Sequence, residues 1–263
     1  MPVALAVDTR TQHAFGRNGD GTVSVLDLTR GTPLRTVVVS KPGADAQGLA
    51  VDEQTGRVFV AATNYVQVLD ATTGALLRTV GGVAPGIAYI AVDAASRRDF
   101  LANFVGSAVS IFDARDGTLL RSLGAREGYK NSSVGALVVD ERAGRVFVVG
   151  GNVSVLDARS GAVLITRRLP RTGPGGVAGR SDVDEQSGRL FVPITYATDY
   201  QPLPGTVSVV DSATARVLKT VPVGLEPVSA VVDARARQLL VLCQNFTLSN
   251  PNGAGSVSVL RLR

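Results

Sequence analysis

Few side chains in this sequence are suited to nucleophilic, redox or transition-metal chemistry. The chain contains one histidine, His13, one cysteine, Cys243, and no tryptophan. A Ser-His-Asp arrangement needs a histidine beside its nucleophile, and copper or haem sites need several histidine or cysteine ligands. A single cysteine also excludes a disulfide within the chain. We therefore predict no catalytic residue, no cofactor and no metal.

Tyrosines and a small group of polar side chains are better suited to binding a ligand. Tyrosine combines apolar area with a hydroxyl group, which makes it frequent on binding surfaces. The tyrosine candidates are Tyr65, Tyr89, Tyr129, Tyr196 and Tyr200. The other candidates are Lys130, Asn131, Arg180, Asp182, Asp199 and Phe246. Together these residues form the predicted binding site.

A repeat of about 45 residues positions these candidates. A hydrophobic segment ending in aspartate occurs six times, at Asp8, Asp52, Asp93, Asp140, Asp184 and Asp233. A second segment, V-S-V-L-D or a variant of it, ends at Asp27, Asp70, Asp113, Asp157 and Asp211, and its sixth copy ends at Arg261. Each unit contains four segments of strand length, here called strands A to D, separated by turn residues. The period of two in strand C favours strand over helix.

Four antiparallel strands per unit, repeated six times, are typical of a β-propeller. We therefore predict an all-β fold of about six four-stranded antiparallel blades in one domain, residues 1–263. The units start near residues 3, 47, 88, 135, 180 and 228. Because the chain opens at strand A and ends at strand C, we expect the last blade to lack its outer strand or to be closed by a non-sequential strand. A soluble chain without membrane insertion is expected, since no apolar run is long enough to cross a bilayer. We also expect a monomer.

These motifs resemble the YVTN β-propeller repeat family, also called YncE-like, which has WD40-like repeats. The Y-V-T-N end of strand B in that family is matched loosely by residues 15–18 and 100–103, and its V-S-V-I-D strand is matched in most units. Its T-I-P-V-G-x-x-P segment is matched by T-V-P-V-G-L-E-P, residues 220–227. The resemblance covers the whole chain and implies a bacterial scaffold protein. It implies no particular activity, because propellers have many roles.

The start of the sequence bears on location. MPVALAVDTR lacks the basic segment and long apolar stretch of a signal peptide. Met1 and Pro2 align with Glu226 and Pro227, which indicates a longer natural N-terminus with a closing strand and an export signal. A periplasmic or secreted location follows if such a signal precedes Met1, and a cytoplasmic location follows otherwise.

The two ends of each unit differ in sequence. The short A–B and C–D turns, here called the turn face, repeat aspartate, glycine and arginine, so we expect structural aspartates and local ion pairs there. The D–A and B–C connections, here called the loop face, carry all the tyrosines and the long segments 167–181, 193–205 and 244–256. Asp182 replaces an alanine or valine of the other units, and we expect it to pair with Arg180 or Arg171 or to act as a polar anchor at a channel mouth. The alternative for the tyrosines is that they only cover that mouth.

The net charge of +5 could indicate nucleic-acid binding. No basic run is present, however. Arg35, Arg78, Arg121 and Lys219 fall at equivalent positions of strand D, where a positive side chain prevents pairing between sheet edges. Nucleic acid is therefore the weakest of the partner hypotheses.

The leading functional hypothesis is a non-enzymatic propeller whose loop face binds a protein, a glycan or a small molecule. The alternative is a lactonase-like hydrolase or lyase with calcium at the channel mouth. Asp182, Glu226, Asn131 and Asn152 offer the oxygen ligands for such a site.

Overall fold

The computed structural model describes residues 2–41, 48–62, 64–81, 87–103, 108–124, 134–170, 176–197, 202–244 and 255–262. All regular structure in these ranges is β-strand, arranged as six antiparallel sheets in chain order. The chain forms two compact units. One contains Met1–Tyr129 and Ala158–Gly161, and the other contains Lys130–Asp157 and Ala162–Arg263.

Sheets 1 to 3 each have four strands in the order A, B, C, D. Sheet 1 comprises β1 (Pro2–Asp8), β2 (His13–Asn18), β3 (Thr22–Asp27) and β4 (Thr32–Val38). Sheet 2 comprises β5 (Leu49–Asp52), β6 (Arg57–Ala61), β7 (Val66–Asp70) and β8 (Leu76–Val80). Sheet 3 comprises β9 (Ile87–Asp93), β10 (Arg98–Asn103), β11 (Val109–Asp113) and β12 (Leu119–Leu123).

Sheets 4 to 6 vary this plan. Sheet 4 comprises β13 (Val134–Asp140), β14 (Arg145–Gly150), β15 (Asn152–Asp157) and β16 (Val163–Arg168). In sheet 5 strand A is split into β17 (Val177–Ala178) and β18 (Asp182–Asp184), followed by β19 (Arg189–Ala197), β20 (Pro202–Asp211) and β21 (Val217–Leu225). Sheet 6 has three strands, β22 (Pro227–Asp233), β23 (Gln238–Cys243) and β24 (Ser256–Arg261).

This architecture confirms the predicted fold class, an all-β propeller of six antiparallel blades. The prediction that residues 1–263 form one domain stays a prediction. No helix in the described part of the chain has the length and apolar character required to cross a membrane.

A phenylalanine in the middle of strand B anchors the packing of each of the first five sheets. The five residues are Phe15, Phe59, Phe100, Phe147 and Phe191, all at most 3% exposed. Each pairs across to the second valine or isoleucine of strand C, as Phe147 does with Val155. Sheet 6 has Leu240 at this position, and it is 36% exposed. The repeat therefore buries a large apolar side chain at this strand B position in every sheet except the last.

The segment 193–205, predicted as a loop, is largely strand. β19 continues to Ala197, β20 begins at Pro202, and Tyr196 pairs with Leu203. The physical reason is the composition of the segment, because Ile194, Thr195 and Tyr196 are β-branched or aromatic and favour extended backbone. The fifth unit, which is longer than the others, thus extends the β19–β20 hairpin at this segment.

Candidate functional site

The aspartates of the turn face are structural, as predicted. Asp52 shows the pattern: its Oδ1 accepts hydrogen bonds from the backbone N–H groups of Gln54, at 2.9 Å, and Thr55, at 3.1 Å. Gly56 completes the turn with φ of 68°, a conformation that residues with a Cβ rarely adopt. At least one of these two amide hydrogen bonds occurs at Asp8, Asp27, Asp70, Asp93, Asp113, Asp140, Asp184, Asp211 and Asp233. These carboxylates therefore shape turns and are poor candidates for chemistry.

Local ion pairs are also present on the turn face. Arg115 Nη2 lies 2.7 Å from Asp113 Oδ2, and Arg98 Nη1 lies 3.5 Å from the same oxygen. Hydrogen bonds from the Arg115 side chain are the main cause that lowers the pKa of Asp113 to about 2. This confirms the prediction of local pairing there.

Other turn-face side chains connect neighbouring sheets. The only histidine, His13, donates from Nδ1 to the backbone oxygen of Ala71, at 3.0 Å, which requires the tautomer protonated at Nδ1. Arg145, at the same strand position, donates to the backbone oxygen of Ser212, at 2.8 Å. Glu53 Oε1 accepts from the N–H of Thr9, at 2.7 Å. His13 thus holds two sheets together.

The strand D arginines correct one of our interpretations. We expected them to guard a sheet edge, but each donates a hydrogen bond to a backbone oxygen in the C–D turn of the following sheet. Arg35 bonds Thr73, Arg78 bonds Asp116, and Arg121 bonds Ser160. The contact was missed because a pattern within one unit does not show which groups the next unit brings close.

On the loop face, Tyr65 takes part in a polar cluster between sheets 1 and 2. Its hydroxyl donates to the backbone oxygen of Val39, at 3.0 Å. Arg17 is only 1% exposed, and its Nη2 donates to Ser40 Oγ, at 3.1 Å. Burial lowers the pKa of Arg17, while the nearby Tyr65 and Asp20 oppose that shift. Arg17 is not among the predicted site residues, although it occupies a strand B position where the other units have Ala61, Ala102, Val149, Pro193 and Leu242.

The other tyrosine candidates are placed differently. Tyr89 lies in β9 and is partly buried. Tyr196 is 3% exposed, and its hydroxyl lies 3.1 Å from Thr206 Oγ1, so it packs within sheet 5. Six candidates fall outside the described residues, namely Tyr129, Lys130, Asn131, Asp199, Tyr200 and Phe246.

Arg180 and Asp182 lie where the split strand A of sheet 5 meets β22 of sheet 6. The Arg180 N–H donates to the Val228 oxygen at 2.9 Å, and the Ala230 N–H donates to the Arg180 oxygen at 2.8 Å. Gly179 permits this approach, because a Cβ there would lie 2.5 Å from the Val228 oxygen. The Arg180 side chain is exposed. The result is a cation on a backbone fixed by two hydrogen bonds.

Asp182 is bound by backbone amides and not by the arginine that we expected. Its Oδ1 accepts from the N–H of Val183, at 2.9 Å, and its Oδ2 accepts from the N–H of Val232, at 2.8 Å. No ion pair joins Asp182 to Arg180 in the described ranges, and Arg171 lies outside them. Burial raises the pKa of Asp182, and the two amide hydrogen bonds partly offset the shift. The carboxylate therefore links sheet 5 to sheet 6.

We expect the Asp182→Ala substitution to destabilise the protein by about 2 kcal/mol, because it leaves the partly buried Val232 N–H without its acceptor. Asp182→Asn keeps one acceptor oxygen and is the matched control, with a smaller loss. Midpoints of urea unfolding, measured at the same pH for all three proteins, test this. Equal stability of wild type and Asp182→Ala would contradict the linking role.

A second buried polar residue, Asp99, was also missed. It stands in strand B where the other units have Ala14, Val58, Val146, Leu190 and Leu239. Asp99 is fully buried, and neither carboxylate oxygen has a hydrogen-bond partner. Burial, together with the charges of Asp52 and Asp113, raises its pKa well above the usual value. Comparison of equivalent positions across the units would have found both Asp99 and Arg17.

The comparisons with known proteins show the fold alone. No protein-family model and no curated protein matches the sequence. Among solved structures, the chain is similar to Kuenenia stuttgartiensis hydrazine synthase, with 14% sequence identity and a TM-score of 0.74 over 91% of this chain and 73% of that one. This structural similarity supports the propeller fold. Within the described ranges, no group of three or more His, Cys, Asp or Glu side chains is arranged to hold a metal ion.

Proposed function

We propose that this chain is a YVTN-type propeller that acts as a binding scaffold without catalysis of its own. Its loop face takes a protein, a glycan or a small molecule. The observation that carries the proposal is Arg180, an exposed cation whose backbone is held by Val228 and Ala230. A charged group on a rigid backbone loses little entropy when it binds, which favours recognition of an anionic or hydroxyl-rich ligand.

The contrast between the two faces supports the same conclusion. The repeated aspartates and several cations of the turn face are used in turns, ion pairs and contacts between sheets. On the loop face, Arg180 is an exposed charged side chain. The calcium alternative is less well supported, because both oxygens of its proposed ligand Asp182 already accept amide hydrogen bonds.

The test is a binding screen of the purified chain against neutral and acidic oligosaccharides and a set of peptides. We expect Arg180→Ala to weaken binding of the selected ligand about tenfold, the loss of one charge-assisted hydrogen bond. Arg180→Lys should recover part of the affinity. Arg115→Ala removes a cation from the turn face and serves as the matched control, with unchanged binding.

Two results would overturn this proposal. One is binding that does not change in Arg180→Ala. The other is calcium-dependent hydrolysis of a lactone by the purified chain, which would favour the enzymatic alternative.

A further inference from the structure

A glutamate directly after the strand A aspartate joins neighbouring A–B turns on the turn face. Glu53 Oε1 accepts a hydrogen bond from the Thr9 N–H, at 2.7 Å, and Glu185 Oε1 accepts one from the Glu141 N–H, at 3.1 Å. In each pair the carboxylate belongs to the later sheet, and the N–H belongs to the residue after the strand A aspartate of the earlier sheet. The repeat thus places a carboxylate against a backbone amide between two turns.

Sheet 6 lacks this carboxylate. Ala234 takes the place of the glutamate, and the Glu185 N–H of sheet 5 has no acceptor among the described residues. Sheet 3 also has an alanine there, Ala94, but its turn continues with Ala95 where the turn of sheet 6 continues with Arg235. Sheet 6 therefore combines a missing carboxylate with a nearby cation.

A cleft of about 400 Å³ lies at this position, between the A–B turns of sheets 5 and 6. Its lining includes Gln186 and Ser187 from sheet 5, and Ala234, Arg235 and Arg237 from sheet 6. A cleft of this volume is in the range of sites that bind small molecules.

The sequences of the two turns explain why this space is open. Between sheets 1 and 2 the Arg10 side chain occupies the corresponding space, because a Cβ on Gly56 would lie 2.7 Å from Arg10 Nη2. Glu53 supplies the carboxylate between the same two turns. Between sheets 5 and 6 the shorter Gln186 replaces the arginine, and Ala234 replaces the glutamate. Two shorter side chains therefore leave the cleft.

The charges at the cleft favour an anionic ligand. Arg235 and Arg237 are exposed, and no ion pair among the described residues involves either of them. Asp184 also lines the cleft, but its Oδ1 accepts from the Gln186 N–H, at 3.1 Å, and its Oδ2 accepts from Ser187 Oγ, at 2.6 Å. Within the described lining, the charged groups without an internal partner are therefore two guanidinium groups.

We propose that this cleft binds a small dicarboxylic acid. One carboxylate takes the place of the missing glutamate and accepts a hydrogen bond from the Glu185 N–H. The other carboxylate pairs with Arg235 and Arg237, since guanidinium groups form charge-assisted hydrogen bonds with carboxylates. The site lies on the turn face, includes none of the loop-face candidates and goes beyond the proposed function.

The experiment is calorimetric titration of the purified chain with succinate, with butyrate, which has one carboxylate, and with the uncharged succinamide. We expect succinate to bind at least about tenfold more tightly than butyrate, and succinamide not to bind measurably. Arg235→Ala should weaken succinate binding about fivefold. Arg142 takes the same turn position in sheet 4, where the following sheet supplies Glu185, so Arg142→Ala is the matched control with unchanged binding.

The Ala234→Glu substitution restores the glutamate of the repeat and gives a second, independent readout. The new carboxylate should bond the Glu185 N–H as Glu53 bonds the Thr9 N–H. We therefore expect this variant to lose measurable succinate binding and to unfold at a higher urea concentration than wild type.

Three results would overturn the proposal. One is equal affinity for succinate and butyrate, and another is wild-type affinity for succinate in a folded Ala234→Glu variant. The third is equal affinity for succinate and inorganic phosphate, which would indicate a site for any small anion. Succinate binding should persist in Arg180→Ala, so this proposal and the loop-face proposal can fail separately.

Discussion

The Phe147→Ala substitution should lower the free energy of unfolding by about 4 kcal/mol, the typical cost of removing a buried phenylalanine side chain. Phe147 is fully buried and packs with Val149, Val153 and Val155 in the core of sheets 4 and 5. The deletion leaves a cavity that a β-sheet closes poorly, because its strands are held in register by their hydrogen bonds. We expect the thermal midpoint to fall by about 10 °C.

Leu240→Ala is the matched control, since Leu240 takes the same strand B position in sheet 6 but is 36% exposed. Leu240→Ala should lower the free energy of unfolding by about 1 kcal/mol, as is usual for a partly exposed position. Calorimetric or circular-dichroism melting curves of both variants give the comparison. Equal losses at the two positions would contradict the burial pattern described for the last sheet.

Asp99→Val should stabilise the protein by about 2 kcal/mol at neutral pH, since buried charged groups are often replaced favourably by apolar ones. Asp99 is fully buried, its oxygens have no hydrogen-bond partner, and two equivalent positions already hold valine. Asp52 and Asp113 oppose ionisation, and Arg57 favours it. The substitution removes a carboxylate that the fold does not satisfy.

The stability gained by Asp99→Val should depend on pH, because burial raises the pKa of Asp99 in the folded state. Below the ordinary aspartate pKa the group is protonated in both states and contributes no ionisation penalty. As pH rises through the raised folded pKa, the unfolded state releases its proton more readily, so wild-type stability falls relative to Asp99→Val. The urea midpoints of wild type and Asp99→Val should therefore diverge from acid to neutral pH.

Asp99→Asn is the control. It removes the charge but leaves polar atoms without hydrogen-bond partners, so it should stabilise the protein less than Asp99→Val. A constant difference across pH would show that ionisation of Asp99 has no role.

The fold could be predicted from the sequence because its determinants are local. The valines of strand C alternate with a period of two, and D-x-x-x-G turns such as Asp52 to Gly56 form within one unit. Each unit repeats these signals, and repetition of a local unit specifies a propeller. The repeat therefore predicts the fold class that the six antiparallel sheets show.

The site could be predicted only in part, because its contacts join different units. Asp182 was recognised as a departure from the repeat, but its true partner, the Val232 N–H, comes from the next sheet. The roles of Arg35 and His13 depend in the same way on carbonyl groups of a neighbouring turn. Tyr196 was assigned to a loop, whereas the β propensity of its neighbours extends a hairpin and buries it.

The connection between sheets 5 and 6 consists of one residue, Glu226, which lies between Leu225 and Pro227 with φ of 50°. A one-residue connection keeps the two strands close together. The same two sheets are also joined by hydrogen bonds from β22 to Asp182, Arg180 and Thr195. Local opening of the C-terminal sheet must therefore break those bonds as well as its own pairing. The two sheets should consequently behave as one cooperative folding unit, which protects the chain's last strands from fraying.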